Sequence, residues 1–430
     1  MTDEGLDERT TAARRAVEAV WRIESSRLIA GLARATGDVG VAEDVAQEAL
    51  VAALQQWPST GIPPNPGGWL MTTAKRRAID AHRRAATHDR RIAVIAADLT
   101  SDAPAVDADV RVDAMDDHVG DDLLRLVLTA CHPILSLESR VALTLRCLGG
   151  LSTDELARAF LVPEPTMAQR IVRAKRTLSQ RQVRFELPPR EELATRLGAV
   201  LEVVYLIFNE GYAATSGDDW VRPALCQEAM RLGRVLATLL PDESEVHGLL
   251  ALRELQASRL AARVSPGGEP VLLPDQDRRR WDRLLVRRGL ASLSRAEQTG
   301  GPLGPYAVQA AVAACYARAL RPEDTDWARI SDLYALLATI WPSPVVEVNR
   351  AVAVGFSRGP EAGLAVVDAV LAAGRLSDYP HLHSVRGDLL QRAGRRAEAA
   401  AAFQQAAGLT RSEAERSVFA SRAAAASCDV

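Results

Sequence analysis

The sequence predicts an all-α protein of several domains, and three observations lead there. Ala, Leu, Arg and Glu dominate, and apolar residues recur every three or four positions rather than every two, the helical period. Clusters of Gly and Pro cut the chain into helix-sized pieces, and charge of opposite sign is gathered into separate blocks. The 430 residues leave room for roughly three domains of about 150 residues. Hydrophobic residues at 48% and charged residues at 25% are the balance of a soluble chain with ample core.

The elements follow in order. Val39 to Trp57 reads as an amphipathic helix: Ala46, Leu50, Ala53 and Trp57 share a face, while Glu43, Asp44, Gln47 and Glu48 lie largely elsewhere. PSTGIPPNPGG, residues 58 to 68, holds four prolines and three glycines, so a structured loop is expected throughout. A long basic helix is expected from Trp69 to about His88. Beyond an Ala- and Asp-rich linker, Asp122 to Cys131 and Leu137 to Leu148 read as helices, the second closed by Gly149-Gly150.

In LSTDELARAFLVPEPTMAQRIVRAKRTL, Ser152 and Glu155 form an S-x-x-E capping box at the start of a short helix. Pro165 suits the first turn of the next helix, which carries Arg170, Arg173, Lys175, Arg176 and Arg181. Two helices joined by a short turn, the second one basic, are a helix-turn-helix signature. After Leu187 and Pro188-Pro189 the chain is helical with little local charge bias. Near its end, Gly387, Leu390, Gly394, Glu398-Ala399, Phe403 and Ala406 match the offsets of a tetratricopeptide helix pair. Glu361-Ala362, Val366 and Ala369 repeat them 37 residues earlier, as in a stacked-helix scaffold near 343–411.

The net charge of −3 hides strong segregation. Trp69 to Arg91 holds seven basic and two acidic residues; Asp98 to Asp122 holds nine Asp and one Arg; Arg140 to Arg184 holds nine Lys or Arg against three acids. Any one run could be a solvated face. The whole pattern suggests two nucleic-acid contacts on one chain, with an acidic linker that repels stray phosphate. The domains are therefore read as 12–92, a linker 93–121, 122–184 and 187–430.

Other classes find little support. The five cysteines lie far apart with no C-x-x-C, so neither a disulfide framework nor a finger-type zinc site is expected. The seven histidines show no ligand spacing, and Cys131-His132 before Pro133 reads as structural rather than as a nucleophile and its base. No G-x-x-x-x-G-K-[ST] or G-x-G-x-x-G is present. Asn209-Glu210-Gly211-Tyr212 could form a polar site, but Gly211 after an apolar helix reads first as a C-cap. An enzyme, a cofactor and a metal are not expected. The acidic start MTDEGLDERT argues against a targeting peptide, and no uncharged stretch suits a membrane span, so a cytoplasmic protein is expected.

AEDVAQEALVAALQQW, a loop, WLMTTAKRRAIDAHRR, an acidic linker and the helix-turn-helix, in that order over about residues 15 to 182, resemble bacterial extracytoplasmic-function sigma factors. The chain looks closest to the subgroup with a long, tetratricopeptide-like C-terminal extension; FNEGY (208–212) and LLPDQDR (272–278) look like extension motifs of that subgroup. The resemblance implies two sigma domains, region 2-like and region 4-like, ahead of a helical extension that modulates activity. It implies that Asp44, Gln47 and Glu48 bind core RNA polymerase at the β′ clamp helices, and that the β flap is a further contact. It implies that Asn65, Trp69, Lys75, Arg76, Arg77, Arg83 and Arg84 serve the promoter −10 element, where opened strands need aromatic stacking and cationic backbone contacts. A Trp at the start of an amphipathic helix is also a common core residue, so Trp69 carries both readings.

For the −35 element the resemblance implies a reading helix over Glu164 to Leu178, with Thr166, Gln169, Arg170 and Arg173 toward bases and Lys175 and Arg176 toward phosphate. The turn departs from the family: Leu161 stands where Gly is usual, and Pro163 and Pro165 flank Glu164. The extension is expected to take a protein partner. The competing class, an operator-binding activator with a helical sensor domain, accounts for the helix-turn-helix and the repeats but not for the acidic helix of the first domain.

Overall fold

A computed structural model describes residues 3–80, 119–212, 221–265, 271–410 and 413–428, and all regular structure among them is helical. The chain divides within one helix into two compact units, residues 1–204 and 205–430.

The first unit holds α1 (Asp3–Thr36), α2 (Val39–Thr60), α3 (66–80), α4 (Val119–Ala130), α5 (Leu137–Cys147), α6 (Thr153–Ala159), α7 (Glu164–Gln180) and the start of α8 (Arg190–Tyr212). Helix α1 packs on α2 and on α4, and its Trp21, Leu28, Ile29 and Leu32 are buried. Gly37, at φ 72°, ends α1, and the Asp38 carboxylate caps α2 by accepting from the amides of Gly40 (2.7 Å) and Val41 (3.1 Å).

Helix α2 is longer than its composition suggests. It runs through Pro58 to Thr60, and the expected loop shrinks to residues 61–65. Pro58 lies in the last turn, where it removes one amide donor from the ladder, and the helix ends two residues later, before Gly61 with φ 85°. Helix α3 also starts early, at position 66, where a proline suits a first turn. Its expected continuation, with Arg83 and Arg84, lies outside the described residues. Helix α4 begins at Val119, inside the stretch read as linker, and its Asp122 is buried between Arg125 (2.6 Å) and Arg34 (3.6 Å). The unit closes inside α8 rather than at Pro188-Pro189, and Arg140 of α5 holds Glu202 at 3.0 Å.

The second unit continues with α9 (Pro223–Leu239), α10 (Ser244–Ala257), α11 (Arg283–Gln298), α12 (Pro305–Arg318), α13 (Trp327–Ile340), α14 (Pro344–Arg358), α15 (Pro360–Ala372), α16 (Pro380–Arg392), α17 (Arg396–Leu409) and α18 (Glu413–Cys428). Helix α10 is buried almost all round, with α9, α11 and α12 packed against it. Gly248 permits this, since a Cβ there would lie 2.6 Å from the Ala307 nitrogen. Gly211 is not a cap; it is helical, and its missing side chain admits the start of α9, where the Arg222 amide donates to its carbonyl at 2.7 Å.

The repeat offsets become two helical hairpins, α14/α15 and α16/α17, around a core that includes Leu364, Leu389 and Phe403. Gly394, at φ 77°, makes the second turn, and Gly387 leaves room for the Phe403 ring. No helix among the described residues is long and apolar enough to cross a membrane.

Candidate polymerase and nucleic-acid interface

Of the acidic trio on α2, Asp44 and Glu48 are exposed and Gln47 is half-buried, its amide nitrogen buried without a hydrogen-bond partner among the described residues. Neither carboxylate stands alone. Glu48 takes Arg77 of α3 at 3.0 Å, and Asp44 takes the Lys175 ammonium of α7 at 2.7 Å. Two residues expected to serve different targets, Asp44 and Lys175, are therefore in contact in this structure.

The centre of that contact is Glu43, which the sequence placed off the apolar face. It is 2% exposed, accepts from Arg146 Nε at 2.8 Å and pairs with the Lys175 ammonium. Arg146 also donates to the Leu151 carbonyl at 3.1 Å, tying α5 and the turn before α6 to the same carboxylate. Burial works against charge on Lys175, but Glu43 and Asp44 overcome it and hold its pKa above the ordinary lysine value. A signal was available. Glu43 sits three residues before Ala46, in line with the Ala46, Leu50, Ala53, Trp57 spacing, so a carboxylate at that position is aimed at the core.

On α3, Asn65 serves as the cap, its side-chain oxygen accepting from the Gly68 amide at 2.9 Å. Trp69 is half-buried and meets buried Trp57 edge to face, ring centres 5.5 Å apart. Lys75 is half-buried and Arg76 exposed, while Arg77 faces α2 through Glu48.

The helix-turn-helix forms as its local chemistry dictates. Ser152 accepts from the Glu155 amide at 3.1 Å, and the Glu155 carboxylate accepts from the Ser152 amide at 2.8 Å. Helix α7 buries Met167, Ile171, Ala174 and Leu178 on one stripe. Thr166, Gln169, Arg173 and Arg176 are exposed at positions spaced by three or four, a polar row away from that stripe. Arg170 is half-buried, and Lys175 is committed to α2.

Leu161 adopts φ 50°, the left-handed conformation a glycine would supply, and the Val162 amide closes the turn on the Ala157 carbonyl at 3.0 Å. A side chain in that conformation costs roughly 1–2 kcal/mol, part of which a glycine would return as extra freedom of the unfolded chain. Leu161→Gly is therefore expected to raise the denaturation free energy of the first unit by about 0.5–1 kcal/mol, measurable by urea melts.

Cys131 and His132 each have a partner other than one another. Burial pushes the Cys131 thiol up to about 11, with Thr144 3.2 Å away. Burial, with Arg196 nearby, pulls His132 down to about 4, and its Nδ1 accepts from the Ile134 amide.

Comparison with known proteins matches these blocks. Residues 23–88 match the family described as Sigma-70 region 2, residues 125–178 match Sigma-70, region 4, and residues 196–297 match a family of unknown function (DUF6596). The uncharacterized protein R00370 of Rhizobium meliloti (strain 1021) is 44% identical over 379 residues, 88% of each chain. The probable ECF RNA polymerase sigma factor SigI of Mycobacterium tuberculosis (strain ATCC 25618 / H37Rv) is 30% identical over 173 residues, 40% of this chain and 58% of that protein. No solved structure matches.

Proposed function

This chain belongs to the sigma factors of the extracytoplasmic-function type, with a helical C-terminal extension, and from that premise we propose how its residues divide the work. Asp44, Gln47 and Glu48 engage the clamp helices of the polymerase β′ subunit, and the helix-turn-helix meets the β flap. Asn65, Trp69, Lys75, Arg76 and Arg77 attend the −10 element, with Arg83 and Arg84 continuing the array. Thr166, Gln169, Arg170 and Arg173 read the −35 duplex, and Arg176 holds phosphate. Lys175 joins that array once α7 leaves α2, because its ammonium cannot serve Glu43 and DNA at once.

The observation that carries the reading is the exposed row on α7. Thr166, Gln169, Arg173 and Arg176 keep donors and cations on one side of a helix whose other side is fixed in the core. The polymerase does the chemistry, and this chain makes and breaks no bonds. It works in the cytoplasm, and its extension sets how much of it is active, through a protein partner held by the stacked hairpins.

The test is run-off transcription with purified core enzyme and a library of promoter fragments. Arg173→Ala should cost about 1–3 kcal/mol and relax preference at one −35 position, whereas Arg176→Ala should weaken all fragments alike. If neither substitution changes initiation, the reading row lies elsewhere. An operator-binding activator would give no transcripts from core enzyme and this chain alone.

A further inference from the structure

The second unit buries arginines with too few partners. Arg253, on α10, is 1% exposed, and its guanidinium lies 4.2 Å from the centre of the Tyr205 ring and 4.6 Å from that of Phe208. One of its nitrogens, Nη1, is satisfied by the side-chain oxygens of Asn209 (3.0 Å) and Gln256 (2.6 Å). The other edge, Nε with Nη2, is buried and makes no well-formed hydrogen bond among the described residues, the Tyr205 side chain being the neighbour that favours its charge. No carboxylate among them pairs with it, and its neighbour Glu254 is committed to Arg234 at 2.8 Å. Burial pulls Arg253 down to about 10, with Tyr205 working the other way, so it remains charged at neutral pH.

The surroundings repeat the theme. Phe208 stacks on Tyr212 with ring centres 5.5 Å apart, and the Tyr212 hydroxyl is buried with no hydrogen-bond partner among the described residues. Arg263 lies 3.8 Å from the centre of that ring. Arg259 lies 5.8 Å from the centres of both Tyr212 and Trp281, its Nε likewise buried without an acceptor among the described residues. Arg278 closes the series 5.3 Å from Trp281, but its terminal nitrogens are spent on the carbonyls of Tyr316 and Ala319 and on the Thr325 hydroxyl. Phe208, Asn209 and Tyr212 come from FNEGY, and Arg278 ends LLPDQDR. The two extension motifs, which promoter recognition leaves unused, thus meet in one aromatic and cationic cluster.

A buried cation without a counter-charge is among the costliest arrangements a fold can keep, and ring faces offset only part of that cost. The free Nε–Nη2 edge of a guanidinium is a planar pair of parallel donors, the shape that a carboxylate or a phosphate accepts with two oxygens. We propose that the second unit binds a small oxyanion-bearing molecule, received by the Nε–Nη2 edge of Arg253 with the Tyr212 hydroxyl and Arg259 as further donors. Carboxylate and phosphate share this chemistry, and the aromatic rings favour a flat body behind the charged group.

The test uses the full chain without polymerase, so its outcome is separate from the promoter reading. Binding of inorganic phosphate and of benzoate is followed by calorimetry and by the thermal transition, at constant ionic strength set with sodium chloride. Saturable binding of either probe is expected, and which one binds identifies the oxyanion. Arg253→Met keeps the stem and removes the charge; it should weaken that binding at least about tenfold while the ligand-free protein melts no lower. Tyr212→Phe, which removes one hydroxyl, should weaken it about tenfold and decides the matter if Arg253→Met does not fold. Arg279→Ala, on the exposed side chain two residues before Trp281, should leave binding unchanged. Absence of saturable binding by both probes, or equal binding by wild type and the folded variants, would overturn the proposal.

Discussion

Asp44→Lys combined with Glu48→Lys is expected to lower affinity for core polymerase at least about 30-fold, roughly 2 kcal/mol, in a titration with purified core enzyme. The two carboxylates are exposed on one face of α2, where a basic helical partner can reach both. Reversal also sets lysines against Lys175 and Arg77, which now neutralise that face. Those contacts are with largely exposed acids and contribute little to stability, so the helical circular dichroism should stay at the wild-type level. Unchanged affinity in a folded double variant would remove the acidic trio from the polymerase interface. A companion measurement separates the two roles of Lys175. Lys175→Met frees Asp44 and should leave core binding equal or stronger, while a direct polymerase contact by Lys175 would weaken it.

Glu43→Gln is expected to destabilise the first unit by about 2–4 kcal/mol in urea denaturation, more than any surface substitution in this chain. The glutamine is the same size and can still accept one hydrogen bond, so the loss measures charge rather than shape. What it removes is the only carboxylate that Arg146 touches among the described residues, and the inner of the two that hold Lys175. Both cations are themselves largely buried, so neither recovers full hydration when the anion goes. The same substitution should loosen α7 from α2, which hydrogen exchange would register as faster opening of α7 with α4 unaffected. A loss below about 0.5 kcal/mol would mean that the contact contributes no more than an exposed pair.

The contrast between Glu155 and Glu43 explains how much of the candidate site was legible in advance. Glu155 caps its own helix turn with Ser152, where the spacing fixes the geometry and the capping box is found as expected; its other oxygen takes Arg22 of α1 at 2.6 Å, a contact that spacing did not give. Glu43 acts across the fold, with partners more than a hundred residues away, and only its place in an apolar stripe hinted at burial. Arg253 is the same case in the extension, a charge in the middle of an apolar helix whose ring neighbours and the amide of Asn209 come from another helix, α8. Pro58 and Gly211 erred the other way. Residue type suggested a loop and a cap, whereas the helix runs through the proline for two further residues and close approach of α9 gave the glycine its use.

While the order of the two sigma regions came from resemblance, the sequence by itself determined what depends on neighbours along the chain: the helical period, the capping box of Ser152 and Glu155, the helix-turn-helix and the hairpins of the repeat. These rest on interactions over three or four residues, which spacing specifies completely. Only the tertiary structure decided which charges are paired and which are left over. A carboxylate or guanidinium changes its meaning with burial, because the cost of desolvating it falls on whatever distant group arrives to meet it, or fails to. Lys175, expected at phosphate, is held by Glu43 and Asp44, and the Nε–Nη2 edge of Arg253 lies buried without a hydrogen-bond partner among the described residues.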